Sequence, residues 1–209
     1  MRFYKSSQKW TTLFCFIVFL MKAGAARSAE DPTAMLQNVT NQVMAELRAH
    51  RQELQKNPSK IYTLVNHIIL PHVDFDESAK WVVGRNAWRE ADSNTQQIFI
   101  NEFKNLVVRS YAGSLLGYTD QKVEYLPLRG STNKERIEVA SLLKDGGKAP
   151  IRINYRLIQS GGSWRVYDII IEGVSLMQGY HAQFAEDVKE GGVKAVIEKI
   201  RRRQSKKTK

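Results

Sequence analysis

The stretch Trp164–Phe184, WRVYDIIIEGVSLMQGYHAQF, constrains the fold more tightly than any other part of the chain. It begins as an alternating strand and breaks at Glu172-Gly173. It then passes through Val174-Ser175-Leu176 into a helix whose opening turns carry Tyr180 and Phe184 at i and i+4. A strand that hands over directly to a helix with aromatics on one face needs apolar partners on both sides of the junction. The fold expected from this is α+β, a helical subdomain packed on a curved antiparallel sheet of about four strands. An apolar cavity between the layers would be large enough for a lipid.

The rest of the chain supplies both layers. Asp31-Pro32 is a helix start, Asp as N-cap and Pro at the first helical position, and Leu36, Val39, Val43 and Leu47 follow at helical spacing. Asn57-Pro58 repeats the signal, and Ile61, Leu64, Val65, Ile68 and Ile69 continue a second helix until Pro71. A short helix is predicted around Ser78–Val83, stopped by Gly84. Ser93 with Gln96 reads as a capping box opening a long helix, with Ile98, Phe99, Phe103, Leu106, Val107, Ser110 and Tyr111 broadly on one side.

From Lys122 the period changes to two, giving strands at Lys122–Leu128, Arg136–Leu143, Ile151–Ile158 and Trp164–Ile171. Asp145-Gly146-Gly147 and Ser160-Gly161-Gly162 are turns, so the last three strands form an antiparallel meander. Ile151, Ile153, Tyr155 and Leu157 fall on one face of the third strand, and Arg152, Asn154 and Arg156 on the other, one dry and one wet. A final helix, Val193–Arg203, precedes a basic tail.

Charge then narrows the function. The net charge is +11, yet residues 1–25 hold four bases without an acid and Lys199–Lys209 hold seven bases without one. The Lys and Arg that remain equal the 21 acidic residues. The body is neutral, which argues against a nucleic-acid binder. The tail reads as a solvated, disordered end, with transient attraction to membrane surfaces as its functional alternative.

The first 25 residues read as a cleaved signal peptide: a basic start, the apolar run Thr11–Met21, then Ala23-Gly24-Ala25. Removing them removes Cys15, the single cysteine, and with it thiolate metal or redox chemistry. The expected organisation is residues 1–25 as signal, 26–203 as one domain and 204–209 as tail.

Two other chemistries compete for these residues. Alternation places Asp168 on one strand face with Trp164, Val166 and Ile170, where a carboxylate among apolar neighbours could act as the base of an isomerase. The bland reading is a structural Asp bonded to backbone or an arginine. His67, His72, Asp74 and Asp76 could be imagined around a metal, but Pro71 keeps the two histidines off a common helical face. There is no P-loop and no Gly-x-Gly-x-x-Gly, and Ser175 lacks the glycine pattern of a nucleophile elbow.

Val166–Phe184, together with His72–Trp88 (HVDFDESAKWVVGRNAW), the Phe99/Phe103/Leu106/Tyr111 helix and the exported start, resembles the MlaC family of periplasmic phospholipid carriers, also called toluene-tolerance proteins. The resemblance runs from Asp31 to about Arg203, with one departure: Gly179-Tyr180-His181 stands where members usually show Asn-Tyr-Arg. It implies an NTF2/cystatin-like sheet, a non-enzymatic carrier in the periplasm and phospholipid as cargo rather than any cofactor. It further implies shuttling between outer and inner membranes that maintains outer-membrane lipid asymmetry. The implied partners are an inner-membrane MCE-domain ABC transporter complex and an outer-membrane lipoprotein–porin complex.

Candidates for lining the lipid cavity are Phe75, Trp81, Phe99, Phe103, Val107 and Tyr111 on the helices. On the sheet and junction they are Val139, Ile153, Tyr155, Val166, Ile170, Val174, Leu176, Tyr180 and Phe184. An isomerase-type enzyme using Asp168 and a periplasmic chaperone or interaction module remain as other classes.

Overall fold

The computed structural model describes residues 31–118, 121–128 and 134–206. The expected signal peptide, Cys15 and the last three residues of the tail lie outside the described residues. Asp31 Oδ1 accepts from the Thr33 and Ala34 amides at 2.8 and 3.4 Å, starting α1 (Pro32–Ala49) as the Asp-Pro pair requires. After α2 (Arg51–Lys56), the expected second helix is broken into shorter pieces: a 3-10 turn at Pro58–Lys60, α3 (Ile61–Leu64), a π-helical turn at Val65–Ile69 and a 3-10 turn at Leu70–His72.

Asp74 caps α4 (Phe75–Val83) by accepting from the Glu77 amide at 2.9 Å, and Gly84 ends it at φ +80. A further helix, α5 (Arg85–Glu90), then precedes α6 (Ser93–Tyr111). The cap of α6 is Asp92, not Ser93: its carboxylate accepts from both the amide and the hydroxyl of Thr95. Gln96 points backward, donating to the carbonyls of Trp88 and Ala91 and so tying α6 to α5.

The sheet is open, antiparallel and five-stranded, in the order β1 (Lys122–Tyr125), β2 (Arg136–Lys144), β3 (Ile151–Ser160), β4 (Ser163–Ile171) and β5 (Val174–Ser175). The meander is as expected. The first strand is shorter, and the fifth is a two-residue strand folded back over the Glu172-Gly173 turn, where both residues have positive φ. Gly173 takes that conformation without strain; Glu172 is held there by its backbone N–H on the Arg152 carbonyl and its carboxylate on the Arg152 amide.

A bulge on β4, opposite Arg156/Leu157, breaks the alternation: Leu157 pairs with Val166, and Arg156 pairs with Asp168. Asp168 and Ile170 therefore share the face of Arg156 and Asn154, not that of Trp164 and Val166. The bulge also frees two carbonyls. The Asp74 amide donates to Val166 O at 2.9 Å and the Ser78 hydroxyl to Tyr167 O at 2.8 Å, so the start of α4 is docked on the kink.

The last element, α7 (Leu176–Lys206), is a helical hairpin bent at Gly191-Gly192. Lys199 forms an ion pair with Asp187, twelve residues back, which a straight helix would hold about 18 Å away. Gly192 (φ 62, ψ −154) sits in a region that only glycine visits freely. The last helix runs past the expected Arg203 to Lys206, into the basic tail, with Arg201 on Glu102 at 2.7 Å and Arg202 near Glu198.

Three apolar clusters result among the described residues. Met35 and Leu36 of α1 pack on Val139, Leu157, Trp164 and Val166 of the sheet. Val43, Leu47, Leu54, Ile61, Val65 and Ala112 join α1 to the broken helical segment. Phe99, Phe103, Tyr180, Phe184, Val196 and Ile200 lie in the core of the α4–α7 layer.

Candidate functional site: a cleft beside the strand-to-helix junction

The junction singled out by sequence is locked by Asp168. Its carboxylate accepts from the Ser175 hydroxyl at 2.7 Å, the Met177 amide at 3.1 Å and the Arg156 guanidinium at 3.1 Å. Ser175 Oγ in turn accepts from the Gln178 amide at 3.0 Å, so the first turn of α7 is capped from the sheet. Asp168 is buried and every one of these bonds is structural; it does not line the cleft described below.

Beside this junction opens a cleft of about 1310 Å³, above the range of about 300–1,000 Å³ usual for small-molecule sites. One wall is the second half of α6, with Lys104, Asn105, Leu106, Val108, Arg109, Ser110 and Tyr111. The other is β5 and the start of α7, with Val174, Ser175, Leu176, Gly179, Tyr180 and Gln183. Tyr62 and Asn66 also line it, and Arg203 and Gln204 bring the returning arm of the hairpin to it.

Depth sorts these side chains. Tyr180 and Ser175 are buried, and Leu106 and Leu176 half-buried, while Arg109, Tyr111, Val174 and Arg203 are exposed. Apart from Ser175, whose hydroxyl is engaged by Asp168, the floor is apolar, and apart from Val174 the rim is polar. Among the described residues no carboxylate lines the cleft, and three cations do.

Tyr180 belongs to both the core and the cleft. Its ring meets Phe103 edge-on at 5.1 Å and stacks on Phe184 at 6.1 Å, within an aromatic run that continues to Phe99. Burial pushes its hydroxyl up to about 12, against a smaller opposing effect of the Ser110 hydrogen bond; Tyr111 reinforces the rise. It stays a neutral donor at any physiological pH. His181, in the departing Gly179-Tyr180-His181 triplet, turns away from the cleft and its Nδ1 donates to Val82 O at 2.9 Å, ending α4.

The sheet extends the cleft. Opposed residues in antiparallel strands share a face, so Tyr125, Ser141, Ile153, Ile171 and Val174 form one row across all five strands. That row lies on the face covered further along by α1. Down β3 the cover thins, from Leu157 (fully buried) through half-buried Tyr155 and Ile153 to Ile151, 39% exposed. Ile171 (40%) and Val174 (67%) are also open, and Val174 is itself part of the cleft wall. Apolar side chains left open at the mouth of a cleft are a candidate binding surface.

Of the candidates from sequence, Tyr111, Val174, Leu176 and Tyr180 are brought together in the cleft. Ile153 stands in the sheet row that leads to it. Phe99, Phe103 and Phe184 are fully enclosed in the helical core, with Phe75 and Val107 partly buried against it. Val139 and Val166 are enclosed under α1, with Tyr155 packed beside them.

Two candidates fall elsewhere. Trp81 is 47% exposed on the outside of α4, stacked on Tyr167 at 6.3 Å, because Ala79, Val82 and Val83 form the inward face of that helix. Ile170 is turned to the opposite sheet face by the bulge. Among the described residues no group of three His, Cys, Asp or Glu is placed to hold a metal; His67 Nδ1 bonds Thr63 O, and Asp74 caps α4.

Sequence reasoning missed Tyr62, Asn66, Lys104, Arg109, Gln183 and Arg203. A signal was present for the cations. Lys104, Arg109 and Arg203 have no acid three or four residues away on either side along the chain, the spacing at which a helical surface cation is usually paired.

The fold and cleft together define a class: an α+β binding protein with an amphipathic cleft set between a helical layer and the open end of an antiparallel sheet. A model of the family described as MlaC protein matches residues 37–202, and the chain belongs to that family. Toluene tolerance protein ttg2D of Pseudomonas putida is 27% identical over 165 residues, covering 79% of this chain and 76% of its own length. The intermembrane phospholipid transport system binding protein MlaC of Haemophilus influenzae is 23% identical over 203 residues, covering 95% and 94%. Among solved structures, a phospholipid-binding protein from Ralstonia solanacearum in complex with a phospholipid superposes with a TM-score of 0.77. It is 30% identical, and the match covers 86% of this chain and 99% of that one.

Proposed function

We infer that this chain is a phospholipid carrier that makes and breaks no bond, working in the periplasm and reaching it through the signal peptide at residues 1–25. The observation that carries the reading is the cleft with an apolar floor and polar rim, continuous with the uncovered end of the apolar sheet face. Membership of the MlaC family and the phospholipid held by the Ralstonia relative support it.

A carrier is needed because each methylene exposed to water costs about 0.8 kcal/mol, so two acyl chains of roughly thirty methylenes cost on the order of 20 kcal/mol. An apolar cleft removes most of that barrier. Pickup and delivery then lie near balance, and direction comes from partners. The membrane complexes implied by the family, an inner-membrane MCE-domain transporter and an outer-membrane lipoprotein–porin, are the partners this reading expects.

The acyl chains lie along Leu106, Leu176, Tyr180, Val174 and the Ile171/Ile153 row, and the headgroup sits at the rim. Asp168 serves this reading as the residue that holds the cleft wall in place. Organic extraction of the purified protein followed by mass spectrometry tests the reading. One phospholipid per chain is expected, and lipid-free protein that takes up nothing from vesicles would overturn it.

A further inference from the structure

Several cations on the helical layer have acid partners. Arg201 is paired with Glu102, Lys199 with Asp187 and Arg202 with Glu198. Lys104, Arg109 and Arg203 differ: all three line the cleft, and none has an ion-pair partner among the described residues. The contrast is sharpest around Glu102. It stands two residues from Lys104, yet its carboxylate is turned to Arg201. Likewise Glu198, on the turn before Arg202 and Arg203, goes to Arg202. The carboxylates that could neutralise the rim are engaged elsewhere.

The cleft thus presents three uncompensated positive charges above an apolar floor, with amide side chains of Asn66, Asn105 and Gln183 and the hydroxyls of Tyr111 and Tyr62 among them. Every phospholipid offers this rim a phosphate. A zwitterionic headgroup also brings an ammonium, which three nearby cations repel and no lining carboxylate accepts. A headgroup such as glycerol, with hydroxyls and no cation, leaves the phosphate charge for the rim and offers the amides hydrogen bonds.

We propose that the rim formed by Lys104, Arg109 and Arg203 selects phospholipids of net negative charge over zwitterionic ones. This rests on the carrier reading and names its substrate class. The rim is largely exposed, so each contact is modest. Together they give a preference of about tenfold at low ionic strength, the product of three exposed charge contacts. Salt screening reduces it toward unity.

The test loads lipid-stripped protein from vesicles containing equal amounts of dioleoyl phosphatidylglycerol and dioleoyl phosphatidylcholine, then quantifies both in the re-isolated protein. Because the two lipids share one vesicle, attraction of the basic protein to the membrane is common to both. Phosphatidylglycerol should exceed phosphatidylcholine about tenfold at low salt and fall toward parity as salt rises. In the lipid that the variant K104Q/R109Q/R203Q takes up the preference should be lost, and R203Q alone, at the exposed helix end, should lose part of it. R85Q/R89Q/K189Q removes as many charges away from the cleft and should leave the preference unchanged.

Excess inorganic phosphate at matched ionic strength should not alter the ratio. If it abolishes the preference, the rim is a general phosphate site and the proposal falls. Full uptake without preference, or a preference that survives K104Q/R109Q/R203Q, overturns the selectivity and leaves the carrier intact. No uptake of either lipid overturns both.

Discussion

The apolar face of the sheet is finished differently at its two ends. At one end α1 lays Met35 and Leu36 against Val139, Leu157, Trp164 and Val166, none more than 8% exposed. The Tyr125 hydroxyl pins that cover by donating to Leu36 O at 3.1 Å and bonding Thr40 at 2.6 Å. At the other end Ile151, Ile171 and Val174 have no such cover, and the cleft opens beside them. The same alternating pattern builds both ends. What separates packed core from open apolar surface is where the helix stops, so apolar character alone does not mark a ligand wall.

Substitutions can break or sharpen that contrast. On the packed side of the helical layer, Phe103→Ala should cost about 3–5 kcal/mol in urea unfolding, because an enclosed aromatic leaves a cavity its neighbours cannot close. Asp168→Ala strands Ser175, Arg156 and the Met177 amide at the junction and should cost about 2–4 kcal/mol by the same measurement. Asp168→Asn keeps acceptors for two of those donors. It should cost less and, when folded, retain its lipid, whereas an enzyme using that carboxylate would lose turnover outright. Gly192→Ala forces a Cβ into a backbone region reserved for glycine and should lower stability by about 1–3 kcal/mol.

On the open side the two readouts should separate. Val174→Asp changes an exposed residue and should move stability by no more than about 0.5 kcal/mol. Its lipid content after extraction should nevertheless fall severalfold, since a carboxylate would then stand in the cleft wall.

The smallest effect concerns pH. The Tyr180 hydroxyl is raised to about 12 from an unfolded value of about 10. The stability it contributes is therefore complete below about pH 10 and is lost as pH rises through about 12. Burial raises Tyr125 and Tyr155 in the same direction. Tyr180→Phe should flatten part of the alkaline loss in a series of unfolding curves, and should remove one late-titrating phenol from the ultraviolet absorbance.

Much of the architecture could be read from the chain because its punctuation is local. Asp31-Pro32, Gly84 and the Gly-Gly turns each act within four residues, and the period-two stretches run long enough to register. Asp92 displaced Ser93 as a cap because both residue types can cap, and only the geometry of Thr95 decides between them. The β4 bulge is an extra residue without a sequence mark of its own, and it moved Asp168 and Ile170 to the other face. Trp81 was misplaced because a single helical turn with Val82 and Val83 beside it does not say which side is inward.

The site was legible only in part. Tyr111, Val174, Leu176 and Tyr180 came from the junction and the aromatic helix, whereas Tyr62, Asn66 and Arg203 reach the cleft by folding from distant segments. The return of Arg203 depends on the hairpin at Gly191-Gly192, which a reading of two separate helices did not connect.

The central claim is that the cargo occupies the cleft between α6, β5 and α7 rather than the enclosed clusters. Photo-crosslinking with a phospholipid carrying a diazirine on its acyl chain, followed by peptide mapping, tests it directly. Adducts should concentrate within residues 104–111 and 171–183, with Leu106, Tyr111, Val174 and Leu176 foremost. Adducts confined to Met35, Leu36, Val139 and Leu157 would place the acyl chains under α1 and contradict the account.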